Sequence, residues 1–338
     1  MKQANEIDYA NIGFGYIQTP YNLRCTFKNG AWGPIEVHTE ESVNLHMSAV
    51  VLHYGQAAFE GLKAFRGADG KVRIFRPEQN GERMQRSADY LQMAVPPMEL
   101  FLDMVRRSVE LNIEYVPPLE SGGSLYIRPV LFGSSAQLGV NPADEYTLIV
   151  FTSPVGSYFK GGMRGIKTII DRDHDRAAPL GTGHIKAGGN YAASLKSAMQ
   201  GHHKGYDSVL YLDPAEHKFL DECGAANFFG IKDNTYCTPA SHSILPSITN
   251  LSIQQLCRDL GMKVERRAIP LEELSSFTEV GACGTAAVIT PIQSVLDPLS
   301  DTVLHFKCIG KCSQRLYDLY RGIQLGTQED THGWNTVL

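Results

Sequence analysis

The sequence predicts an α+β chain of two domains, on three observations. Short apolar strands are mixed with amphipathic helical stretches. The 338 residues exceed the size at which one hydrophobic core keeps growing. The run at 154–162, PVGSYFKGG, is rich in turn formers, so the domains are expected at 1–154 and 166–338 with a linker at 155–165.

In the first part, strands are expected at 72–75, 124–132 and 146–152. Helices are expected near 79–95 and 99–113; the second carries the amphipathic ELFLDMVRRSVELN. After the linker, 191–204 reads as a helix with Leu195 and Met199 on one face, then the strand DSVLYLD, the turn PAEH and the strand KFLDE. Ser247 is placed to cap a helix over TNLSIQQLCRDL that ends at Gly261. A strand and a short helix lead to GACGTAAVITPI, and a terminal helix near 310–325 closes the chain.

Composition is that of a soluble globular protein, 43% hydrophobic and 20% charged, with a formal charge of -5. Nucleic acid is therefore not an expected partner. The seven cysteines are odd in number, scattered and free of any CxxC pair, which points away from a disulfide framework and from a zinc site; no metal is expected. The start, MKQANEIDYAN, has no apolar signal core and no stretch approaches a membrane span, so a soluble cytoplasmic protein is expected.

The chemistry begins at HIKAGGNY, where Lys186 precedes two glycines and Tyr191. A lysine ahead of a helix is usually a solvated surface charge. Gly188 and Gly189, however, let the backbone approach a ligand, and Tyr191 offers a phenol close by. A free lysine is neutral in only about one molecule in 2,500 at pH 7, so nucleophilic or base work requires burial or a covalent imine. An aldehyde cofactor such as pyridoxal 5'-phosphate provides the imine, and needs a phosphate cradle and a partner for its ring nitrogen.

Glu222, in LDECGAANF, reads on its own as a strand-end acid facing water. Facing a pyridine nitrogen, its charge would keep that nitrogen protonated. Two phosphate cradles are candidates: LPSIT, with Ile248 and Thr249 opening a helix, and GTAA, with Thr285 and Ala286 in a small-residue turn. Arg83 in GERMQRSADYL is one candidate cation.

Taken in order and at their distances, HYGQAAFEGLKAF, RMQRSA, SLYIRP, KAGGNY, DECGAANFF, LPSIT and GTAAVITP resemble the branched-chain amino acid aminotransferases. These are class IV aminotransferases of the fold-type IV group. The motifs run from about residue 13 to 291, and IGFG and PVGSYF are similar to the longer, eukaryotic-type branch. The resemblance implies a two-domain, D-amino acid aminotransferase-like fold with a smaller α/β N-terminal domain and a larger pseudo-barrel C-terminal domain. It also implies pyridoxal 5'-phosphate in the cleft, a homodimer completing each pocket, and reversible amino transfer between L-leucine, L-isoleucine or L-valine and 2-oxoglutarate.

By the same resemblance Lys186 is the Schiff-base lysine and proton carrier. Tyr191 contacts the cofactor's phenolic oxygen and Glu222 its pyridine nitrogen, while Arg83, Ile248, Thr249 and Thr285 hold its phosphate. Phe14, Tyr54, Phe59, Tyr126, Tyr158, Ala225 and Ala286 line an apolar substrate pocket, with Leu138 and Val140 reaching in from the partner subunit. Arg128 pairs with the glutamate γ-carboxylate; Tyr126 and the N–H groups of Thr285 and Ala286 bind the α-carboxylate. Mammalian members carry a redox-active CxxC where Ala287 and Thr290 stand here, so no such thiol switch is expected; Cys223 and Cys283 are expected to be inert packing residues. D-amino acid aminotransferases and aminodeoxychorismate lyases share the lysine and glutamate but not KAGGNY with SLYIRP. A non-catalytic phosphate-ligand binding protein would lack any lysine-linked aldehyde.

Overall fold

The computed structural model describes the chain except residues 1, 157–162, 287 and 308. Its contacts divide it into two compact units: Met1–Tyr158, Ile185–Gly189 and Gly322–Leu338 in one, Phe159–His184 and Asn190–Arg321 in the other. A single cut near residue 154 therefore misses two returns of the chain. Ala187 pairs antiparallel with Ala58, and the strand Asn335–Val337 pairs with Val72–Phe75.

The first unit is a nine-stranded sheet. Its central strand, Ser124–Gly133, lies between Leu62–Arg66 and Tyr146–Val155 in antiparallel register. Strand side chains alternate between faces. Leu125, Ile127 and Leu131 thus enter a core with Met84, Ala88, Phe101, Met104, Val105 and Val109 of the helices Pro77–Tyr90 and Met98–Leu111. The alternate positions, Tyr126, Arg128 and Val130, are only partly buried and point the other way. That alternation supplies the site residues of this strand.

In the second unit the strands Leu220–Cys223, Ser208–Leu212, Ile166–Ile170, Val288–Asp297, Glu279–Gly284 and Ala226–Lys232 follow one another, and the last pairs back onto the first. This closed ring is the expected pseudo-barrel. Its core holds Ile170, Leu210, Leu220, Phe228, Ile292 and Val295. The expected helix after Ser247 runs Ile248–Asp259, with Ser247 Oγ accepting from Asn250 N–H at 3.2 Å.

Leu195 and Met199 share one face of their helix, as expected, and that face is the exposed one. The helix Gly188–His203 exposes Leu195 (62%) and Met199 (49%), while Asn190, Ser197 and Gly201 are its buried positions. The packed face is small and polar for a reason: Ser197 bonds the Asp171 carboxylate, and a Cβ at Gly201 would come within 2.8 Å of Val209. Among the described residues no helix is long and apolar enough to cross a membrane.

Candidate active site

Lys186 lies on the short returning segment of the first unit. Its N–H donates to Ser87 Oγ at 3.0 Å, and its carbonyl accepts from Phe59 N–H at 3.2 Å. Its amine stands 4.7 Å from the centre of the Phe59 ring. The neck of this excursion is pinned in the other unit, where Thr182 and Asn190 share two hydrogen bonds, at 2.5 and 2.7 Å. A Cβ at Gly188 or Gly189 would meet no atom within 4 Å, so the glycines leave the surface beside the lysine bare.

Around Phe59 the first unit gathers most of its expected substrate residues. Arg128 lies over both the Phe59 and Tyr126 rings, at 4.8 and 5.2 Å, and donates to Tyr126 Oη at 3.1 Å. Its Nε is buried with no hydrogen-bond partner among the described residues. Phe14 packs edge-on against Tyr126 at 5.3 Å. Gly61 makes this arrangement possible, because a Cβ there would sit 2.0 Å from the Tyr126 hydroxyl. Tyr54 stands apart from these rings and donates to the Leu138 carbonyl; Leu138 and Val140 are 83% and 80% exposed.

Arg83, expected at a phosphate, spends two of its nitrogens on Glu60, Nε at 2.7 Å and Nη2 at 2.8 Å. Asn80 and the Gly61 N–H bond the same carboxylate. Burial pushes the Glu60 carboxyl upward, but the Arg83 charge and hydrogen bonds, with the Lys186 charge, more than offset it and hold it below its ordinary value.

The second unit holds Glu222 at the end of its strand. The turn that follows needs Gly224, whose φ is +58°. Glu222 accepts from Asn227 Nδ2 at 2.8 Å and lies 2.6 Å from Arg176 Nε, close enough for an ion pair although that N–H makes no hydrogen bond among the described residues. Burial, only partly opposed by Arg176 and reinforced by the neighbouring Asp221, pushes Glu222 up to about 7. Asp221 accepts from Ser243 through both oxygens, and burial raises it to about 6. Asn227 in turn accepts from Asn250 at 3.0 Å, which links the acid to the start of the helix Ile248–Asp259. There Ile248 and Thr249 are buried in the first turn, where backbone N–H groups lack helical partners.

Thr285 and Ala286 lie in the turn between the strands Glu279–Gly284 and Val288–Asp297, and Ala225 in the turn after Glu222. Val288, just beyond, holds a φ of +59°, a strained conformation for a β-branched residue. Tyr191 is half-buried in the first turn of its helix. Tyr158 and Ala287 lie outside the described residues. Cys223 and Cys283 are buried, and burial raises them to about 11 and about 12, as befits packing thiols.

Comparison with known proteins matches residues 57–295 to the family described as amino-transferase class IV. The chain belongs to that family. A branched-chain-amino-acid aminotransferase of Helicobacter pylori is 46% identical across 99% of this chain and 98% of its own length. A chloroplastic branched-chain amino acid aminotransferase of Humulus lupulus is 41% identical over 98% of this chain and 82% of its own. Among solved structures, the Escherichia coli branched-chain amino acid aminotransferase superposes with a TM-score of 0.80 at 27% identity, covering 94% of this chain and 99% of that one. The T.th. branched-chain amino acid aminotransferase complexed with N-(5'-phosphopyridoxyl)-L-glutamate gives 0.75 at 27%, with the same coverage.

Sequence reasoning passed over Glu60, Ser87, Arg176, Asn227 and Asn250. The signal available for Glu60 was a carboxylate inside the apolar run AAFEGLKAF, where an unpaired charge could not be buried. Arg176, in DRDHDRAAPL, reads as one more charge in a solvated turn and carries no such signal.

Proposed function

We propose that the chain is a pyridoxal 5'-phosphate-dependent transaminase moving an amino group reversibly between L-leucine, L-isoleucine or L-valine and 2-oxoglutarate. The observation that carries this reading is Lys186, a lysine fixed at both its N–H and its carbonyl beside bare glycine backbone. The donor set fits that cofactor: a primary amine on a held segment, a buried acid near neutrality for a ring nitrogen, and a capped helix start for a phosphate dianion. When bound, the cofactor supplies an aldehyde to the amine and a ring that withdraws electrons from the substrate.

Lys186 then holds the cofactor and, once released, moves a proton at the substrate Cα. Glu222 pairs with the ring nitrogen, its hydrogen bond from Asn227 fixing one oxygen while the charge of Arg176 opposes the cost of burial. Tyr191 donates to the cofactor's phenolic oxygen. The N–H groups of Ile248 and Thr249, with Thr285 and Arg83, take the phosphate.

Phe14, Phe59 and Tyr126 of the first unit exclude water from an aliphatic side chain, worth about 0.8 kcal/mol per buried CH₂. A glutamate γ-carboxylate cannot be left unpaired among such walls, and Arg128, with its buried unbonded Nε, is the cation for it. Tyr126 and the N–H groups of Thr285 and Ala286 take the α-carboxylate. The exposure of Leu138, Val140, Met47 and Leu52 supports a homodimer in which Leu138 and Val140 reach the partner's site.

An absorbance spectrum of the purified protein with pyridoxal 5'-phosphate, before and after L-leucine, tests the cofactor, its linkage and the half-reaction together. A lysine-linked band that L-leucine converts is expected; a spectrum unchanged by L-leucine overturns the reading. D-leucine in the same cuvette separates this chain from a D-amino acid aminotransferase.

A further inference from the structure

The contacts around Lys186 close on themselves. Its N–H reaches Ser87 Oγ, and the Ser87 hydroxyl donates to the Arg83 carbonyl one turn back, at 2.8 Å. The Arg83 side chain is locked on Glu60. Glu60 adjoins Phe59, whose N–H bonds the Lys186 carbonyl and whose ring lies under the amine. All five residues belong to the same unit.

Ser87 is fully buried inside the helix Pro77–Tyr90. At such a position alanine packs with no polar group to satisfy and with better helix propensity. A serine bonded only to its own preceding turn is common and adds little. Ser108 in the neighbouring helix is of that kind: buried, with its hydroxyl on the Val105 carbonyl at 2.8 Å. Ser87 differs because its oxygen also accepts from another segment, and that segment carries the lysine.

We propose that Ser87 is a positioning residue for the transamination reaction, tying the Lys186 backbone to the helix of Arg83 so that amine and arginine keep a fixed register. The proposal rests on reading Lys186 as the cofactor lysine. Removing the hydroxyl takes away this acceptor of the Lys186 N–H while the strand-like pairing to Ala58 and Phe59 stays in place.

The test compares Ser87→Ala with Ser108→Ala as a matched control and Ser87→Cys as a near-isosteric variant with a weaker acceptor. Three quantities are read: hydrogen exchange at the Lys186 amide, the rate at which added pyridoxal 5'-phosphate becomes fixed to Lys186 by borohydride, and kcat and KM for L-leucine. In Ser87→Ala the amide is expected to exchange faster, with capture and kcat each about tenfold lower at nearly unchanged KM. Ser108→Ala should match wild type in all three, and Ser87→Cys should fall between. Should Ser87→Ala not fold, the cysteine variant decides by the same readings. Wild-type capture with Ser87→Ala indistinguishable from Ser108→Ala overturns the proposal alone; a wild type that captures no cofactor overturns the transaminase reading and this proposal with it.

Discussion

Two glutamates, one in each unit, are almost equally buried, Glu60 at 0% and Glu222 at 3% exposure, yet their carboxyls shift in opposite directions. Glu60 receives Arg83 through two nitrogens, Asn80 and a backbone N–H, and feels the Lys186 charge as well. Glu222 also receives an amide, Asn227, and a backbone N–H, Leu245, but its one arginine makes no hydrogen bond to it and a second buried carboxylate, Asp221, stands at its side. Burial penalises both charges; the aim of the arginine and the sign of the next charge, Lys186 beside Glu60 and Asp221 beside Glu222, decide the outcome. Glu60 is thus held below its ordinary value against a cation, whereas Glu222, pushed up to about 7, can gain or lose a proton near neutrality.

The largest effect expected along this contrast is at the lysine beside Glu60. Lys186→Ala should lower turnover by about 10³-fold or more, and normal multiple turnover by that variant would sink the assignment. Next, Arg128→Ala should reduce kcat/KM for glutamate roughly 10- to 100-fold more than for leucine, because only glutamate brings a second carboxylate to pair. Equal losses for both substrates would deny Arg128 a selective role.

A smaller effect separates the two acids through pH. Glu222, at about 7 against an ordinary 4.5, binds its proton more tightly in the native than in the unfolded chain. Its contribution to stability is therefore present at low pH and lost as pH rises between those values, with Asp221, at about 6, acting in the same sense. Glu60, held low, contributes in the opposite sense, its stabilisation being lost as pH falls. In cofactor-free protein Glu222→Gln should remove about 1–3 kcal/mol of the decline between about pH 5 and about pH 7.5 in urea unfolding. An unchanged pH slope would show that Glu222 does not carry the shift. The smallest effect is expected at Cys223 and Cys283, whose buried, raised thiols should resist alkylation in the native protein at pH 7.5; rapid labelling of either, read by peptide mass, would show an exposed thiolate instead.

Much of this was legible in the chain because the signals are local. Ser247 sits where a helix needs an acceptor, and the helix starts at the next residue. The strands at 72–75 and 124–132 appear as Val72–Phe75 and Ser124–Gly133, because period-two burial is written directly into the residues. The shared face of Leu195 and Met199 was legible too, but apolar spacing does not say which face packs, and here small residues were needed against Val209 and Asp171.

The sequence by itself determined several of the secondary elements, the helix cap and the group of residues, around Lys186 and Glu222, in which the chemistry was sought. Only the tertiary structure decided their charge states and their supports. Arg83 meets Glu60 from 23 residues away, and Lys186 meets Ser87 from 99. Such partners belong to different elements and carry no spacing signal, while a buried charge depends on every neighbour the fold brings to it.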